Sequence, residues 1–147
     1  HASNWESANV KTDGLAVCHR EGGNLVLLAY GVLLQNAMAA AELLSQQGIE
    51  ATVIRLLTLS PLPVKQIAQM LPADSYVVAL EEVSGRCGIC QELTSNLQNI
   101  RPDCKVFGID LGCRYICHGA VDVLYDQYGL SPEAIKKFAM EVYPNEN

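Results

Sequence analysis

Short, continuous apolar runs alternate along this chain with longer stretches in which apolar residues recur every three or four positions. Runs of five or six such residues are typical of strands covered on both faces, whereas the wider spacing predicts amphipathic helices. An alternation of this kind restricts the fold to a sheet with helices packed on its faces. The predicted strands are 15–19, 25–30, 51–56, 76–80 and 105–109.

Helices are predicted after the second, third, fourth and fifth strands, and one more follows near the end of the chain. Glycine and proline mark two of their boundaries, with Gly48 closing the first helix and Pro63 opening the second. The predicted helical segments are 33–47, 63–71, 89–100, a stretch marked by Val121, Leu124, Tyr125 and Tyr128, and a segment that Ser131 caps and Pro132 begins.

The order of these elements predicts a three-layer α/β/α domain with a five-stranded, mostly parallel sheet. Only the turn 21–24 separates the first two strands, so we expect the first strand to run antiparallel and to pair with the second. Residues 1–11 are polar and unpatterned, and we interpret them as a tail or an expression remnant. The domain is expected to cover 12–147.

Charge and hydropathy exclude several classes of function. The 147 residues carry a net charge of −6 and contain no basic cluster, so nucleic acid is not expected as a partner. The longest apolar runs are the length of strands, so we do not expect the chain to bind or cross a membrane.

Six cysteines lie at positions 18, 87, 90, 104, 113 and 117. Most lie in or beside apolar runs, where cysteine behaves as a small hydrophobic residue, and a domain of this size does not need disulfides to fold. We therefore expect a reduced, cytoplasmic protein. The alternative is a redox or metal module, because Cys87 and Cys90 have CxxC spacing at a helix start, with Cys113 and Cys117 as a second pair.

The segment 77–90 leaves the core at Glu81 and Glu82 and continues through a glycine-containing loop. Because neighbouring side chains at a strand end point to opposite sides, at most one of these acids faces any one site. We expect solvated carboxylates, with Glu82 in contact with a neighbouring subunit as the functional alternative. Gly85, Arg86 and Gly88 precede a helix whose free amides could hold an anion, but the full phosphate-loop pattern is missing.

Cys117 and His118 suggest a thiol–imidazole pair, but adjacent residues rarely point together. We interpret His118 as a loop histidine that reaches a partner surface. With no nucleophile, base or complete phosphate loop, the chain looks like part of a larger assembly.

The order of several short motifs resembles the C-terminal domain of the transketolase family. These are the "REG" turn at 20–22, "LLAYG" at 27–31, "GIEATVIR" at 48–55, the "PLP" turn at 61–63, and "LEEVSG" at 80–85. The tail, with "HG" at 118–119, "LY" at 124–125 and "GL" at 129–130, is similar to the branch of that family whose enzymes condense pyruvate with glyceraldehyde 3-phosphate.

The resemblance implies a five-stranded mixed sheet and a domain that helps to build a homodimer. It implies thiamine diphosphate and magnesium for the parent enzyme, held by preceding domains, and no catalytic, cofactor or metal residue in this one. A separately encoded subunit of a transketolase or of a 2-oxo-acid dehydrogenase beta-type chain is the alternative parent. The residues expected at contacts with preceding domains or a second copy are Glu81, Glu82, Gly85, Arg86, Gly88, Arg114, His118 and Gly119.

Overall fold

A computed structural model of the chain describes residues 16–59, 61–81, 88–110, 113–116, 124–125 and 130–144. For 110, 113–116 and 124–125 it describes the backbone alone. The elements within these residues are β1 (Ala16–Arg20), β2 (Leu25–Tyr30), α1 (Leu33–Ser45), β3 (Thr52–Leu56), α2 (Val64–Met70), β4 (Tyr76–Leu80), α3 (Gly88–Leu97), β5 (Lys105–Asp110), β6 (Cys113–Ile116), β7 (Leu124–Tyr125) and α4 (Pro132–Val142).

The strands form one mixed sheet in the order β1-β3-β2-β4-β5-β6-β7. Strands β3, β2, β4 and β5 are parallel, and β1 is antiparallel to β3. The short strands β6 and β7 continue the sheet beyond β5 with antiparallel pairing. The five-stranded mixed sheet is therefore confirmed, and two short strands extend it.

Two apolar clusters lie on opposite faces of this sheet. Side chains of α1 and α4 cover one face, and side chains of α2 and α3 cover the other. Strand β2 contributes to both clusters, because Leu27 faces the first and Leu28 the second, and both are buried. The predicted three-layer α/β/α arrangement is confirmed, as is the coverage of this strand on both faces.

The predicted neighbour of β1 was wrong. The turn 21–24 does not close a hairpin with β2 but carries the chain across the start of β3. There the Gly23 amide donates to the Glu50 carbonyl at 2.7 Å, and the Gly22 amide donates to the Thr52 hydroxyl at 3.1 Å. Because these bonds hold the crossing against β3, β1 is placed on the far side of that strand.

The helix predicted around Leu124 and Tyr125 was also wrong at those two residues. They form β7, which pairs with Arg114 and Cys113 of β6. The rest of that predicted helix, including Val121 and Tyr128, lies outside the described residues. The cap on the last helix is confirmed, since the Ser131 hydroxyl accepts a hydrogen bond from an amide in the first turn of α4.

An arginine holds the end of α2 at the edge where the parallel strands begin. The Arg101 guanidinium donates to the carbonyls of Ala68, Leu71 and Pro72 at 2.7–2.8 Å, and it pairs with the Asp103 carboxylate at 2.9 Å. These bonds satisfy carbonyls that have no partner within the helix. The Arg101 hydrogen bond and the Asp74 amide hold the pKa of Asp103 well below its usual range.

Gly22→Ala should destabilise the domain more than Gly23→Ala. A Cβ at Gly22 would lie 2.5 Å from the backbone carbon and oxygen of Ala51, whereas at Gly23 the nearest atom is the Glu50 oxygen at 3.2 Å. Overpacking against backbone costs about 1–3 kcal/mol, and we expect the Gly22 variant in that range and the Gly23 variant below it. Urea unfolding of both variants measures the difference, and equal losses would contradict the proposed crossing.

Asp103→Asn should lower stability at neutral pH, and its effect should disappear in acid. The folded pKa of Asp103 lies below its ordinary value of 3.8, so its stabilising contribution is complete above that value and is lost as pH falls toward the folded pKa. The unfolding free energies of the variant and the wild type should therefore begin to converge at about pH 5, roughly one unit above the ordinary pKa, and approach each other steadily as pH falls toward the folded pKa. Glu92→Gln, at an exposed position on α3, is the control for loss of one exposed acid away from Arg101. A gap that stays constant down to the lowest pH would refute the assignment.

Candidate functional site

The carboxyl ends of the parallel strands meet at one edge of the sheet, where α/β proteins place their functional loops. Tyr30 at the end of β2 pairs with Leu56 at the end of β3, and Leu80 at the end of β4 pairs with Ile109 of β5. Glu81 follows directly after β4 at this edge. We call this edge, with the loops that leave it, the carboxyl edge.

Glu81 is buried, with 1% of its surface exposed, so the prediction of a solvated carboxylate there was wrong. Its amide donates to the Ile109 carbonyl at 2.9 Å, which continues the ladder between β4 and β5. Its carboxylate oxygen Oε1 accepts a hydrogen bond from the amide of Ile89, in the first turn of α3, with 2.5 Å between nitrogen and oxygen. A charge-assisted bond to a helix N-terminus offsets the cost of burying a carboxylate.

The predicted anion site at the start of α3 is thus partly filled by the chain itself. Glu81 places a carboxylate on the first-turn amide of Ile89, where an external anion would otherwise compete for it. A Cβ built at Gly88 would lie 3.8 Å from that carboxylate, an ordinary contact, so glycine is not needed there for space. The arrangement fixes the helix start and does not form a phosphate cradle in the described residues.

Of the other predicted contact residues, Arg114 lies in a strand and not in a loop. Its backbone in β6 pairs with Ile109, the residue whose carbonyl receives the Glu81 amide. Glu81 and Arg114 therefore flank β5 at the same level of the sheet, although nothing is described of the Arg114 side chain. Five of the predicted residues lie outside the described part of the chain: Glu82, Gly85, Arg86, His118 and Gly119.

Three aliphatic side chains at the carboxyl edge were not singled out from the sequence. Val32, after β2, is 71% exposed, and Leu57 and Leu59, after β3, are 44% and 38% exposed. The available signal was the continuation of apolar residues beyond the ends of two neighbouring strands. Because Tyr30 and Leu56 are paired, the two loops start side by side.

A surface cleft of about 460 Å³ was also missed. It lies where α2 begins beside α3, and it is lined by the 61–66 segment with Glu92 and Asn96. The side-chain oxygen of Gln66, which lines the cleft, accepts a hydrogen bond from the Ala16 amide at 3.1 Å. The start of β1 therefore lies next to the cleft. The sequence had indicated only a rigid turn at this position.

The cysteines differ from the expectation of a fully reduced chain. Cys90, in the first turn of α3, is disulfide-bonded and buried. Cys18 and Cys104 are free thiols. Within the residues that the structure describes, no group of three or more histidine, cysteine or acidic residues is placed to hold a metal ion. None of the helices in the described part of the chain is long and apolar enough to cross a membrane.

The strand order, the crossover helices and the carboxyl-edge loops define a mixed α/β domain of the kind found within larger enzymes. The family model for the transketolase C-terminal domain matches residues 14–135. The chain belongs to that family, which confirms the resemblance found in its motifs.

Among curated proteins, the chain is similar to 1-deoxy-D-xylulose-5-phosphate synthases. It is 31% identical to that of Chlorobium luteolum over 84% of the chain and 33% identical to that of Desulforudis audaxviator over 86% of the chain. In each case the chain spans about a fifth (20%) of the length of the synthase. It is also 29% identical, over 64% of the chain and 28% of the relative, to acetoin:2,6-dichlorophenolindophenol oxidoreductase subunit beta of Cupriavidus necator.

Solved structures share the fold. A split-gene transketolase described as an inactive beta4 tetramer aligns with a TM-score of 0.65 at 23% identity, over 86% of this chain and 40% of that one. Transketolase from Leishmania mexicana aligns with a TM-score of 0.54 at 18% identity, over 87% of this chain and 18% of that one.

The described residues place no cluster of three potential ligands for magnesium, and the Ile89 amide at the start of α3, which a diphosphate would need, is bound by the Glu81 carboxylate. We therefore derive no chemical step through either group in this domain.

Glu81→Ala should destabilise the start of α3. The change removes a buried acceptor from the Ile89 amide, and loss of a helix N-terminal acceptor costs about 0.5–2 kcal/mol. Glu92→Ala, on the exposed side of the same helix, should cost much less. Hydrogen exchange at the amides of α3 and urea unfolding measure both effects, and equal behaviour of the two variants would argue against the cap.

Proposed function

We propose that this chain is the non-catalytic C-terminal domain of a 1-deoxy-D-xylulose-5-phosphate synthase and that it supports dimerisation and assembly of that enzyme. The similarity to these synthases across more than four-fifths of the chain carries the proposal. The chain spans only a fifth of their length, so we assign catalysis and cofactor binding to other domains of the enzyme. In the whole enzyme, pyruvate would condense with glyceraldehyde 3-phosphate.

Thiamine diphosphate and magnesium would be bound by the preceding domains of the parent enzyme. The parent enzyme would be located in the cytoplasm. The composition of the described carboxyl edge supports this division of labour. Its one buried carboxylate, Glu81, is already bonded to the Ile89 amide, and its loops present aliphatic side chains. An aliphatic surface is suited to packing against another domain and offers no acid–base chemistry.

The contact surface would be the carboxyl edge. Val32, Leu57 and Leu59 are among the most exposed large apolar side chains of the described residues, and they lie on neighbouring loops. Burial of such side chains against a partner is favourable, at about 25 cal/mol per Å² of apolar area. Glu81, one of the predicted contact residues, follows β4 at this same edge. Preceding domains of the same enzyme or a second copy would cover it.

A second candidate is a separately encoded C-terminal subunit. It is favoured by the similarity to a split-gene transketolase and to a protein named as a beta subunit. In that case the chain would require a catalytic partner polypeptide, and the carboxyl edge would contact that partner.

Sequencing the locus upstream of His1 separates the two candidates. A reading frame that continues into a thiamine-diphosphate-binding domain would support the synthase domain. A start codon immediately upstream would support the separate subunit. The proteins encoded by the locus would then be purified and assayed with pyruvate, glyceraldehyde 3-phosphate, thiamine diphosphate and magnesium. We expect product from the complete enzyme and none from the 147-residue chain, and turnover by the chain alone would refute the non-catalytic role.

Leu57→Asp in the complete enzyme should weaken assembly, because it would place a charge in a buried apolar contact. Ile100→Asp is the matched control, since Ile100 is similarly exposed, at 49% against 44%, but follows α3 at the opposite edge of the sheet. Sedimentation velocity should show a loss of the assembled form for Leu57→Asp only, with a parallel fall in activity. Equal effects of the two changes, or none from Leu57→Asp, would contradict an interface at the carboxyl edge.

A further inference from the structure

The cleft at the start of α2 has an apolar wall that is fixed before anything binds. Pro61, Leu62, Pro63 and Val64 form the apolar part of its lining, and Leu62 and Pro63 are themselves buried. The two proline rings fix the backbone φ angles of this wall. The volume of the cleft, about 460 Å³, is in the range of pockets that hold a bound group, roughly 300–1,000 Å³. A preformed wall lowers the entropic cost of binding.

The first strand enters the sheet beside this cleft. Ala16, the first residue of β1, pairs with Leu56, the last residue of β3, and the two strands are antiparallel. The chain that precedes Ala16 is therefore directed past the end of β3, to the carboxyl edge, where the 57–63 segment leads into α2. The residues before Ala16 lie outside the described part of the chain.

Two contacts hold Ala16 against the wall of the cleft. Its amide donates to the side-chain oxygen of Gln66, a lining residue, at 3.1 Å. Its side chain is buried in the same apolar cluster as Leu62. Consecutive Cα atoms are about 3.8 Å apart, so the residue before Ala16 starts one such step from a residue that is bonded to the lining.

We propose that this cleft is the docking site for residues 10–15 of the same chain. Six extended residues reach at most about 20 Å, so the whole segment stays close to the cleft that its last residue adjoins. The family model begins at residue 14, so most of the segment lies ahead of the residues that the family model matches. The proposal concerns the chain itself and holds whichever parent enzyme the chain serves.

The composition of this segment fits the lining. Val10 and Leu15 are its large apolar residues, and burial of such side chains against the proline-containing wall is favourable. Lys11 and Asp13 carry one charge of each sign, as does the lining, so opposite charges can be paired.

The covalent connection to Ala16 favours this segment over a second copy of the chain. A segment tethered beside its site has an effective concentration there on the order of millimolar. A contact that is weak between separate molecules is therefore occupied within one chain. A second copy at micromolar concentration would compete poorly for the same cleft.

Trypsin cleavage of the 147-residue chain tests the docking. Lys11 is the first trypsin site of the sequence, and Arg20, within β1, is the next. We expect cleavage after Lys11 to be at least about tenfold slower in the folded chain than in a synthetic peptide of residues 1–20, because docked residues must open before a protease can bind them. Equal rates in the chain and in the peptide would overturn the proposal.

Filling the cleft separates docking from the presence of β1. Asn96 lines the cleft, whereas Ser95, its neighbour on α3, does not. Both are exposed, and their side chains donate to the carbonyls four residues back, at 2.8 Å for Asn96 and 2.9 Å for Ser95. Asn96→Trp should displace the segment and speed both cleavage after Lys11 and hydrogen exchange at residues 11–13 by about tenfold, whereas Ser95→Trp should match the wild type. Equal behaviour of the two variants would count against docking in this cleft.

Dilution of the wild-type chain identifies the occupant. Docking within one chain does not depend on protein concentration, so the rate constant for cleavage after Lys11 should stay the same on dilution. Protection that is lost on dilution would assign the cleft to a second copy and would overturn docking of the chain's own segment.

Discussion

Burial of β2 on both of its faces is the constraint on which the remaining structure depends. Leu25, Leu27 and Ala29 face one apolar cluster, while Val26 and Leu28 face the other, and all five are buried. A strand of this kind is stable only at the centre of a sheet with helices above and below it. Both faces of the sheet are therefore covered by helices. Polar side chains that bind other groups are expected at the two edges of the sheet, where the strands begin and end.

The two edges differ in how their backbone groups are satisfied. At the edge where the parallel strands begin, side chains of the chain itself bind the loops: Arg101 holds the carbonyls that end α2, and Thr52 bonds to both Gly22 and Gly23. The Tyr143 hydroxyl, after α4, also bonds to the Asn24 side chain there. Within the described residues, the loops at that edge are therefore held by hydrogen bonds to side chains of the same chain.

The sequence was a good guide wherever local pattern decided the structure. The limits of β2 and β4 and the start of α4 were predicted correctly, because continuous apolar runs and a capping serine act over a few neighbouring residues. The neighbour of β1 was not predictable in this way, since it depends on how a four-residue turn packs on Glu50 and Ala51, far along the chain. Leu124 and Tyr125 fit both helical spacing and strand propensity. They form a strand because they pair with β6, a segment about ten residues earlier in the chain, and local pattern does not reveal that pairing.

Glu81 illustrates the limit for the candidate site. Two adjacent glutamates after a strand do not indicate which one turns inward, because that depends on where the N-terminus of α3 lies. The Ile89 amide is within reach of Glu81, and a buried carboxylate needs such a partner. Glu81 is thus withdrawn from solvent, and Val32, Leu57 and Leu59 remain as the exposed large apolar side chains of the described part of that edge. The bonded Glu81 carboxylate and the exposed aliphatic side chains of the described residues support the proposal that this edge packs against another domain.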